Sequence, residues 1–415
     1  MLLKLFLILF QIGFGVTLNL VGTISVSEIF LVIASPFFIK PKLFVQYPLL
    51  KKISYLYIGL LAAQILSEIF VGSGIANSLK GIAVTVMSYL HFMFLFRYFI
   101  KDRKIILWIF IGVIARFAIF GTEHEGTMDE VLSGEGAIYL KFYVVRFISS
   151  GLFIASLFIR QRQIAILSAV IGLIVVILGA RSSGGMFAIT GIMVYFIIAN
   201  RRRFTRAQLI RTSVIGLVIG YGFFALYVSN VLNGNITSGN SWQLKRAENP
   251  YNPINTLMMG RSETFIGAMA FADAPLFGHG AWSPDPTGKY HRMQLEFVNS
   301  NTDVARMEYT DVIPAHSVII GAGTNNGILA FVFMVAIFYF FISKGIKSVR
   351  KNDAFLYVTV AFIFALLWNG LFSPQSHFRF NMPPYFAFLL ASYIINSGKI
   401  IVNSVKNENL LYNNR

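Results

Sequence analysis

The stretch that decides the fold of this chain is HSVIIGAGTNNGILAFVFMVAIFYFFIS, residues 316–343. It contains no Asp, Glu, Lys or Arg. Because a helix needs about 20 mostly apolar residues to cross the hydrocarbon core of a bilayer, this run predicts a transmembrane helix. A polar stretch, 233–315, lies directly before it, and further apolar runs fill most of the remaining chain.

The composition of the 415-residue chain agrees with that interpretation. Hydrophobic residues make up 56% and charged residues 13%, and the mean hydropathy is +0.67. A chain this apolar is typical of an integral membrane protein with many spans. We predict an all-α fold with ten to twelve transmembrane helices, twelve being preferred. The predicted cores are 5–22, 24–39, 53–71, 80–100, 105–121, 140–159, 163–180, 186–200, 213–232, 316–343, 354–373 and 383–402.

The basic residues orient these spans. If the amino terminus lies inside, the Lys and Arg clusters all fall on the inner side, as the positive-inside rule requires. The clusters are Lys4, 40–52, 97–104, 160–162, 201–211, 344–351 and 399–415. Both termini are then cytoplasmic. The net charge of +17 reflects this membrane orientation, and it favours the lipid bilayer over nucleic acid as a partner.

This orientation divides the chain into three parts. Spans one to nine occupy 1–232, a large outer loop with short helices occupies 233–315, and spans ten to twelve with a cytoplasmic tail occupy 316–415. The first apolar run has no small-residue cleavage site after its core, which indicates an uncleaved first span. The chain contains no Cys, which excludes disulfides, thiol nucleophiles and thiolate metal sites.

An acidic segment, GTEHEGTMDEVLSGEG, occupies 121–136 of the predicted outer side. Its carboxylates do not have a clear spacing for metal ligands, so a solvated acidic loop is favoured over a metal site. We therefore predict no metal and no cofactor.

The segment GARSSGG, 179–185, predicts a tight turn that places Arg181 at the outer membrane boundary. Small neighbours leave a guanidinium accessible, and its planar set of donors suits a phosphate or diphosphate. A boundary arginine that extends toward the headgroups or forms an ion pair is the structural alternative.

The outer loop contains GRSETFIGAMAFADAPLFGHGAW, residues 260–282. It predicts a short helix from Ser262 that ends near Pro275 and packs on the bilayer interface or on the transmembrane helices. Arg261 would precede this helix, where unpaired N–H groups already favour an anion. Since an arginine gains nothing from the dipole at the start of its own helix, anion binding is favoured over pairing with Glu248 or Glu263.

His316 is predicted to open span ten, with Pro314 in the first helical turn. A helix amino terminus disfavours the imidazolium, so a neutral histidine able to accept a proton is expected. This is the property of a general base acting on a hydroxyl. An interfacial histidine without a role is the alternative, which the two arginines on the same face make less favourable.

Other candidates would bind the diphosphate or the glycan. Arg116, Lys141 and Arg146 lie within predicted spans, where Glu28 and Glu68 are available as structural ion-pair partners. Aromatic rings of the outer loop can stack on sugars or anchor the loop at the interface. The substrate-binding candidates are Arg116, Arg146, Trp282, Tyr290 and Arg292.

The arginine turn, the loop helix and the opening of span ten together resemble the O-antigen polymerase and O-antigen ligase superfamily of bacterial envelope glycan assembly. The family's residues correspond to Arg181, Arg261 with the Pro-Leu-x-Gly-x-Gly element, and His316 with the Gly327–Ile328 pair. Many members have Asn after the histidine, where this chain has Ser317. The resemblance covers mainly 163–343.

The resemblance implies metal-independent glycosyl transfer from an undecaprenyl-diphosphate-linked glycan at the periplasmic face of the bacterial inner membrane. Arg181 and Arg261 would neutralise the leaving diphosphate and His316 would act as the base. We favour a polymerase that elongates lipid-linked repeat units, with a chain-length regulator and a flippase as partners. A ligase that transfers the glycan to lipid A–core is the first alternative. A lipid-linked oligosaccharide flippase is the second, against which the long outer loop argues.

Overall fold

The structure is a computed structural model that describes residues 1–19, 22–121, 143–178, 180–199, 218, 220–222, 224–235, 244–245, 247, 249–297, 312–349 and 354–398. The acidic segment beyond Gly121, Lys141, Glu248 and the basic cluster 201–211 lie outside the described residues. The described part is predominantly helical. Its helices are α1 (Leu2–Ile12), α2 (Val26–Phe38), α3 (Pro41–Gln46), α4 (Pro48–Val71), α5 (Ile75–Phe99), α6 (Ile106–Phe120), α7 (Val145–Ala155), α8 (Gln161–Ile177), α9 (Arg181–Ala199), α10 (Pro253–Gly260), α11 (Ser262–Asp273), α12 (Lys289–Phe297), α13 (Val318–Val349), α14 (Leu356–Phe372), α15 (Ser376–Phe380) and α16 (Met382–Asn396).

Four of these helices, α4, α5, α9 and α13, are long and apolar enough to cross a membrane. Several shorter apolar helices accompany them, namely Leu2–Gly15, α2, α7, α8, Gly220–Leu232 and α14. The prediction of a helical membrane protein is thereby confirmed in its general form. The count of twelve spans stays a prediction.

The described residues agree with the predicted all-α class, but the predicted first span, 5–22, is wrong in its extent. Helix α1 and a 3₁₀ turn, Gly13–Gly15, are followed by an antiparallel hairpin of β1 (Thr17–Asn19) and β2 (Thr23–Ser25). The first helical segment therefore stops well before residue 22. A capping box ends the hairpin, because the Ser25 hydroxyl accepts from the Glu28 N–H and the Glu28 carboxylate accepts from the Ser25 N–H. Averaging hydropathy over a window of about twenty residues concealed these local signals.

The predicted turn at 179–185 is also wrong beyond Ala180, since Arg181 is the first residue of α9. The glycines serve helix packing instead. A Cβ on Gly172 of α8 would lie 2.4 Å from the Ala188 nitrogen, and a Cβ on Gly184 would lie 2.6 Å from the Gly172 oxygen. Small residues thus allow the backbones of α8 and α9 to approach closely, as in other membrane helix pairs.

Helix α13 is broken, although the sequence predicted a continuous span. Gly327 has a φ of 75° and a ψ of −170°, which separates a short segment, 318–326, from a longer one, 328–349. The segment 275–280 fills the break: the Ile328 N–H donates to the Pro275 oxygen at 2.8 Å, and two further N–H groups donate to carbonyls of α13. These are His279 to Thr324 and Gly280 to Asn325, each at 2.8 Å.

Only glycine fits at the break. A Cβ on Gly327 would lie 2.1 Å from the Leu276 oxygen, and a Cβ on Gly278 would lie 2.6 Å from the Asn325 oxygen. Both glycines also have positive φ. The Pro-Leu-x-Gly-x-Gly element is therefore a plug for the broken helix, held by backbone hydrogen bonds.

Candidate functional site

The last turn of α14 is where the loop helix and the start of α13 meet. Each carbonyl in 369–372 has a donor within hydrogen-bond distance, and the one proton of the Thr264 hydroxyl is shared between Leu371 and His316. The donors are the Ser373 N–H to Asn369 (3.2 Å), the Ser317 hydroxyl to Gly370 (2.9 Å), the Thr264 hydroxyl to Leu371 (3.4 Å) and Arg261 Nη1 to Phe372 (3.2 Å). Residues from two distant parts of the sequence are brought together on one helix end.

Arg261 directly precedes α11, whose start at Ser262 confirms the sequence prediction. The half-buried guanidinium lies 5.4 Å from the ring centroid of Trp368. Burial lowers the pKa of Arg261, and the Glu263 carboxylate acts in the opposite direction. Arginine nevertheless stays charged in proteins, and its charge lies at the negative end of the α14 dipole. A different helix, α14, therefore supplies the favourable dipole end that α11 does not give to Arg261.

The backbone of His316 is attached to the same helix end by the Thr264 hydroxyl. Its carbonyl accepts from the Thr264 hydroxyl at 3.0 Å, and its side chain is exposed. Ser317 is the N-cap of α13, since its hydroxyl accepts from the Ile320 N–H at 3.1 Å. The helix begins at Val318, so Pro314 lies outside the first turn, contrary to the prediction.

An apolar cavity of about 160 Å³ lies between α9 and α14. Arg261 contacts two of its lining residues, Trp368 and Phe372. Several lining residues are also exposed on the outside of the molecule, so the cavity opens toward the surface that lipid would cover. The lining residues are Met186, Ile189, Phe364, Leu367, Trp368, Leu371 and Phe372.

Arg181 begins α9, just over one helical turn before Met186 of the cavity. The start of α9 and the end of α14 line the same cavity, so Arg181 and Arg261 lie at the same end of these two helices. The half-buried Arg181 guanidinium is 5.5 Å from the ring centroid of Tyr227. The three residues predicted to be catalytic thus belong to one end of the helix bundle.

Arg116 and Arg146 are brought together elsewhere. Their guanidinium carbons lie 4.8 and 5.0 Å from the same ring, that of Phe117, and Arg116 is only 5% exposed. The acids proposed as their partners have other roles in the structure. Glu28 forms an ion pair with Arg379, and Glu68 accepts hydrogen bonds from Ser73, Ser78 and the Ala281 N–H.

The aromatic candidates of the outer loop differ sharply in exposure. Trp282 is 47% exposed and has a φ of 54°, whereas Tyr290 is 6% exposed and donates its hydroxyl to Asp273 at 2.7 Å. Burial raises the pKa of Tyr290 further above its usual range. A buried ring offers no face for a sugar, so the structure disagrees with Tyr290 as a stacking residue. Arg292 lies on the exposed side of α12.

Sequence reasoning missed Thr264, Trp368 and the end of α14. Trp368 had a usable signal, because tryptophan near the end of a predicted span is typical of the membrane interface. Thr264 had none: it is one polar residue in a short helix, and its role depends on carbonyls from Leu371 and His316.

A comparison with protein families found no family that matches this chain, and a comparison with curated proteins found no relative.

Proposed function

We propose that this chain is a membrane glycosyltransferase that polymerises undecaprenyl-diphosphate-linked repeat units at the periplasmic face of the bacterial inner membrane. One observation carries the proposal. The Arg261 side chain donates to the last carbonyl of α14, beside an apolar cavity that opens outward, and the Thr264 hydroxyl attaches the backbone of His316 to the same helix end.

This arrangement suits an amphiphile with an anionic head and an isoprenoid chain. Nη1 of Arg261 donates to the Phe372 oxygen. The other N–H groups of the same guanidinium can donate to the oxygens of a diphosphate. Arg181 at the start of α9 adds a second positive charge at the same end. The first isoprene units would occupy the cavity, since its lining side chains are apolar.

The chemistry follows from these positions. His316 removes the proton from an acceptor hydroxyl, whose oxygen then forms a bond with the anomeric carbon of the donor. The bond between that carbon and the diphosphate oxygen breaks, and the diphosphate leaves with the electron pair. Arg181 and Arg261 stabilise the developing negative charge. Attack opposite to the leaving group inverts the anomeric centre.

The direct test is transfer by the purified protein in lipid nanodiscs, with a synthetic undecaprenyl-diphosphate glycan and a chelator present. Elongated lipid-linked products and released undecaprenyl diphosphate are expected. Transfer only to lipid A–core would instead identify a ligase. Movement of the intact lipid across vesicles without new glycosidic bonds would identify a transporter and contradict the proposal.

The sidedness can be tested separately, because the chain has no Cys and single introduced cysteines report without background. Thr287→Cys lies at an exposed position of the loop, and Lys101→Cys lies at an exposed position beside a predicted inner cluster. An impermeant maleimide should label position 287 in spheroplasts and reach position 101 only after lysis. The reverse pattern would contradict the periplasmic location and the mechanism with it.

A further inference from the structure

The end of α4 reaches into the break of α13. The Ser67 hydroxyl donates to the Phe277 oxygen at 2.6 Å, and the Asn326 side-chain amide donates to Ser67 at 3.3 Å. Ser67 therefore links the plug segment 275–280 to the broken helix. It is fully buried, so these bonds are shielded from competing water.

The neighbouring residue, Glu68, holds the segment that follows the plug. Its Oε1 accepts from the Ala281 N–H at 2.6 Å, and its Oε2 accepts from the Ser78 hydroxyl at 2.7 Å and from the Ser73 hydroxyl. Ser73 lies just before α5 and Ser78 lies in the first turn of α5, so both serines fix the position of the Glu68 carboxylate. A charged acceptor makes stronger hydrogen bonds than a neutral one.

Hydrogen bonds restrain the residues on both sides of Ala281. The Ser283 hydroxyl lies 2.6 Å from the Gly280 oxygen and 2.7 Å from Asn325 Oδ1, and it donates its single proton to one of them at a time. The Ile313 N–H donates to the Ser283 oxygen at 2.8 Å, close in sequence to His316. These contacts explain how Trp282, between two restrained neighbours, is kept exposed in a left-handed backbone conformation.

The short segment 318–326 of α13 is consequently restrained at both ends. At its amino-terminal end, the Ser317 hydroxyl donates to Gly370 of α14 and the Thr264 hydroxyl donates to the His316 carbonyl. At its carboxyl-terminal end, it contacts the plug segment, which is held by the bond of Ser67 to Phe277 and by the bond of Glu68 to Ala281. A nine-residue helix is about 14 Å long, so a shift at the break is carried directly to His316.

We propose that Glu68 is a positioning residue for the transfer reaction, because it secures the 275–283 segment in the break of α13 and so fixes the position of His316. This proposal rests on the proposed function. Glu68 acts as a hydrogen-bond acceptor, and it touches neither donor nor acceptor substrate. A misplacement of about 1 Å in a reacting group can cost roughly a hundredfold in rate.

The test compares Glu68→Gln with Glu68→Leu. Gln keeps an oxygen for the Ala281 N–H, and its amide can donate to the serine hydroxyls, which rotate to accept. Leu has a similar volume and no hydrogen-bonding group. We expect kcat of the Gln variant within about threefold of the parent and kcat of the Leu variant about 10–100-fold lower, with KM for the lipid-linked donor little changed. Glu296→Leu, on the exposed side of α12, is the matched control and should resemble the parent.

Hydrogen–deuterium exchange gives a readout that does not require activity. The amides of His279, Gly280 and Ala281 should exchange faster in the Leu variant and at the parental rate in the Gln and Glu296→Leu variants. If the Leu variant does not insert into the membrane, Ser283→Ala weakens the same attachment more mildly and should change both readouts in the same direction.

Three results would overturn the proposal. Parental kcat in the Leu variant, with faster exchange, would show that the attachment does not position His316. Unchanged exchange in the Leu variant would show that Glu68 does not secure the segment. Equal loss of kcat in the Gln and Leu variants would assign Glu68 a role that depends on its charge. An inactive parent would instead contradict the proposed function, and the positioning role would fail with it.

Discussion

Arginine side chains lie both at the end of α14 and at the ring of Phe117, but the surroundings of the arginines differ between the two places. At α14, the half-buried Arg261 donates to a carbonyl at the negative end of a helix and borders a cavity that opens outward. At Phe117, Arg116 and Arg146 contact the same buried ring, and Arg116 is almost fully buried.

This difference separates the two groups by function. The charge of Arg261 is balanced by a helix end without using all its donors, so it is stabilised in place and can still bind a ligand. Arg116 is shielded from solvent and contacts an aromatic face, which stabilises a cation inside a bundle. The contrast favours a chemical role for the first group and a packing role for the second. Variants at both places can break or sharpen this contrast.

The largest effect is expected for His316→Gln, which keeps size and hydrogen bonding but loses basicity. Removing a general base typically lowers the rate by about a hundredfold to ten-thousandfold. The backbone carbonyl that accepts from Thr264 is retained, so the variant should insert and fold as the parent does. Product formation in nanodiscs measures the effect. Parental kcat would exclude His316 as the base and direct attention to Glu263 or His291.

A smaller loss is expected for Arg261→Lys. An ammonium can still donate to the Phe372 oxygen, so the cap of α14 survives, but it cannot offer the planar fork that binds a diphosphate. Losing one such contact costs about 2–4 kcal/mol, or roughly 30–1,000-fold in kcat.

Arg146→Lys is the matched control for that substitution, since Arg146 also contacts an aromatic ring but belongs to the Phe117 group. We expect its kcat to stay within about threefold of the parent, because a lysine can preserve the cation–π contact. Equal losses in the two variants would erase the functional distinction between the two arginine groups and support diphosphate binding at both.

Thr264→Val tests whether the end of α14 must be held together for activity. Valine preserves the shape but leaves the carbonyls of His316 and Leu371 without the hydroxyl. Leaving a partly buried carbonyl without its hydrogen bond costs about 1–3 kcal/mol of stability. We expect a lower thermal midpoint and roughly a tenfold lower kcat. A lower midpoint with parental kcat would mean that Thr264 serves stability alone.

The smallest effect is expected at the aromatic residues of the loop. Trp282→Ala should raise KM for the glycan about threefold to tenfold, since a stacked aromatic contributes about 0.5–1.5 kcal/mol. Tyr290→Phe should leave KM unchanged and lower stability by about 1 kcal/mol, because it removes the hydrogen bond to Asp273. Steady-state kinetics with glycans of different length distinguish the two. A higher KM for the Tyr290 variant would restore that residue to the glycan site.

Parts of the candidate site could be predicted because their signals are local. Ser262 begins a segment with an acidic residue, Glu263, in its first turn, and Pro275 follows the end of that segment, so α11 was placed correctly from the sequence. The exposure of Trp282 and the burial of Tyr290 could not be distinguished, because both are amphipathic aromatics in one polar loop. Which ring is covered depends on Ile266, Ala270 and Ile313, which pack against Tyr290 from other segments.

The sequence by itself determined the membrane character of this protein and the start of α11, since hydropathy and helix-boundary signals depend on residues adjacent in the chain. Only the tertiary structure decided the break of α13 and the attachment of Arg261 and of the His316 backbone to the end of α14. Both depend on hydrogen bonds to backbone carbonyls far away in sequence, such as that from the Ile328 N–H to Pro275 and that from the Arg261 side chain to Phe372. Every residue except proline carries the same backbone donor and acceptor, so the letters alone do not reveal which pairs will form.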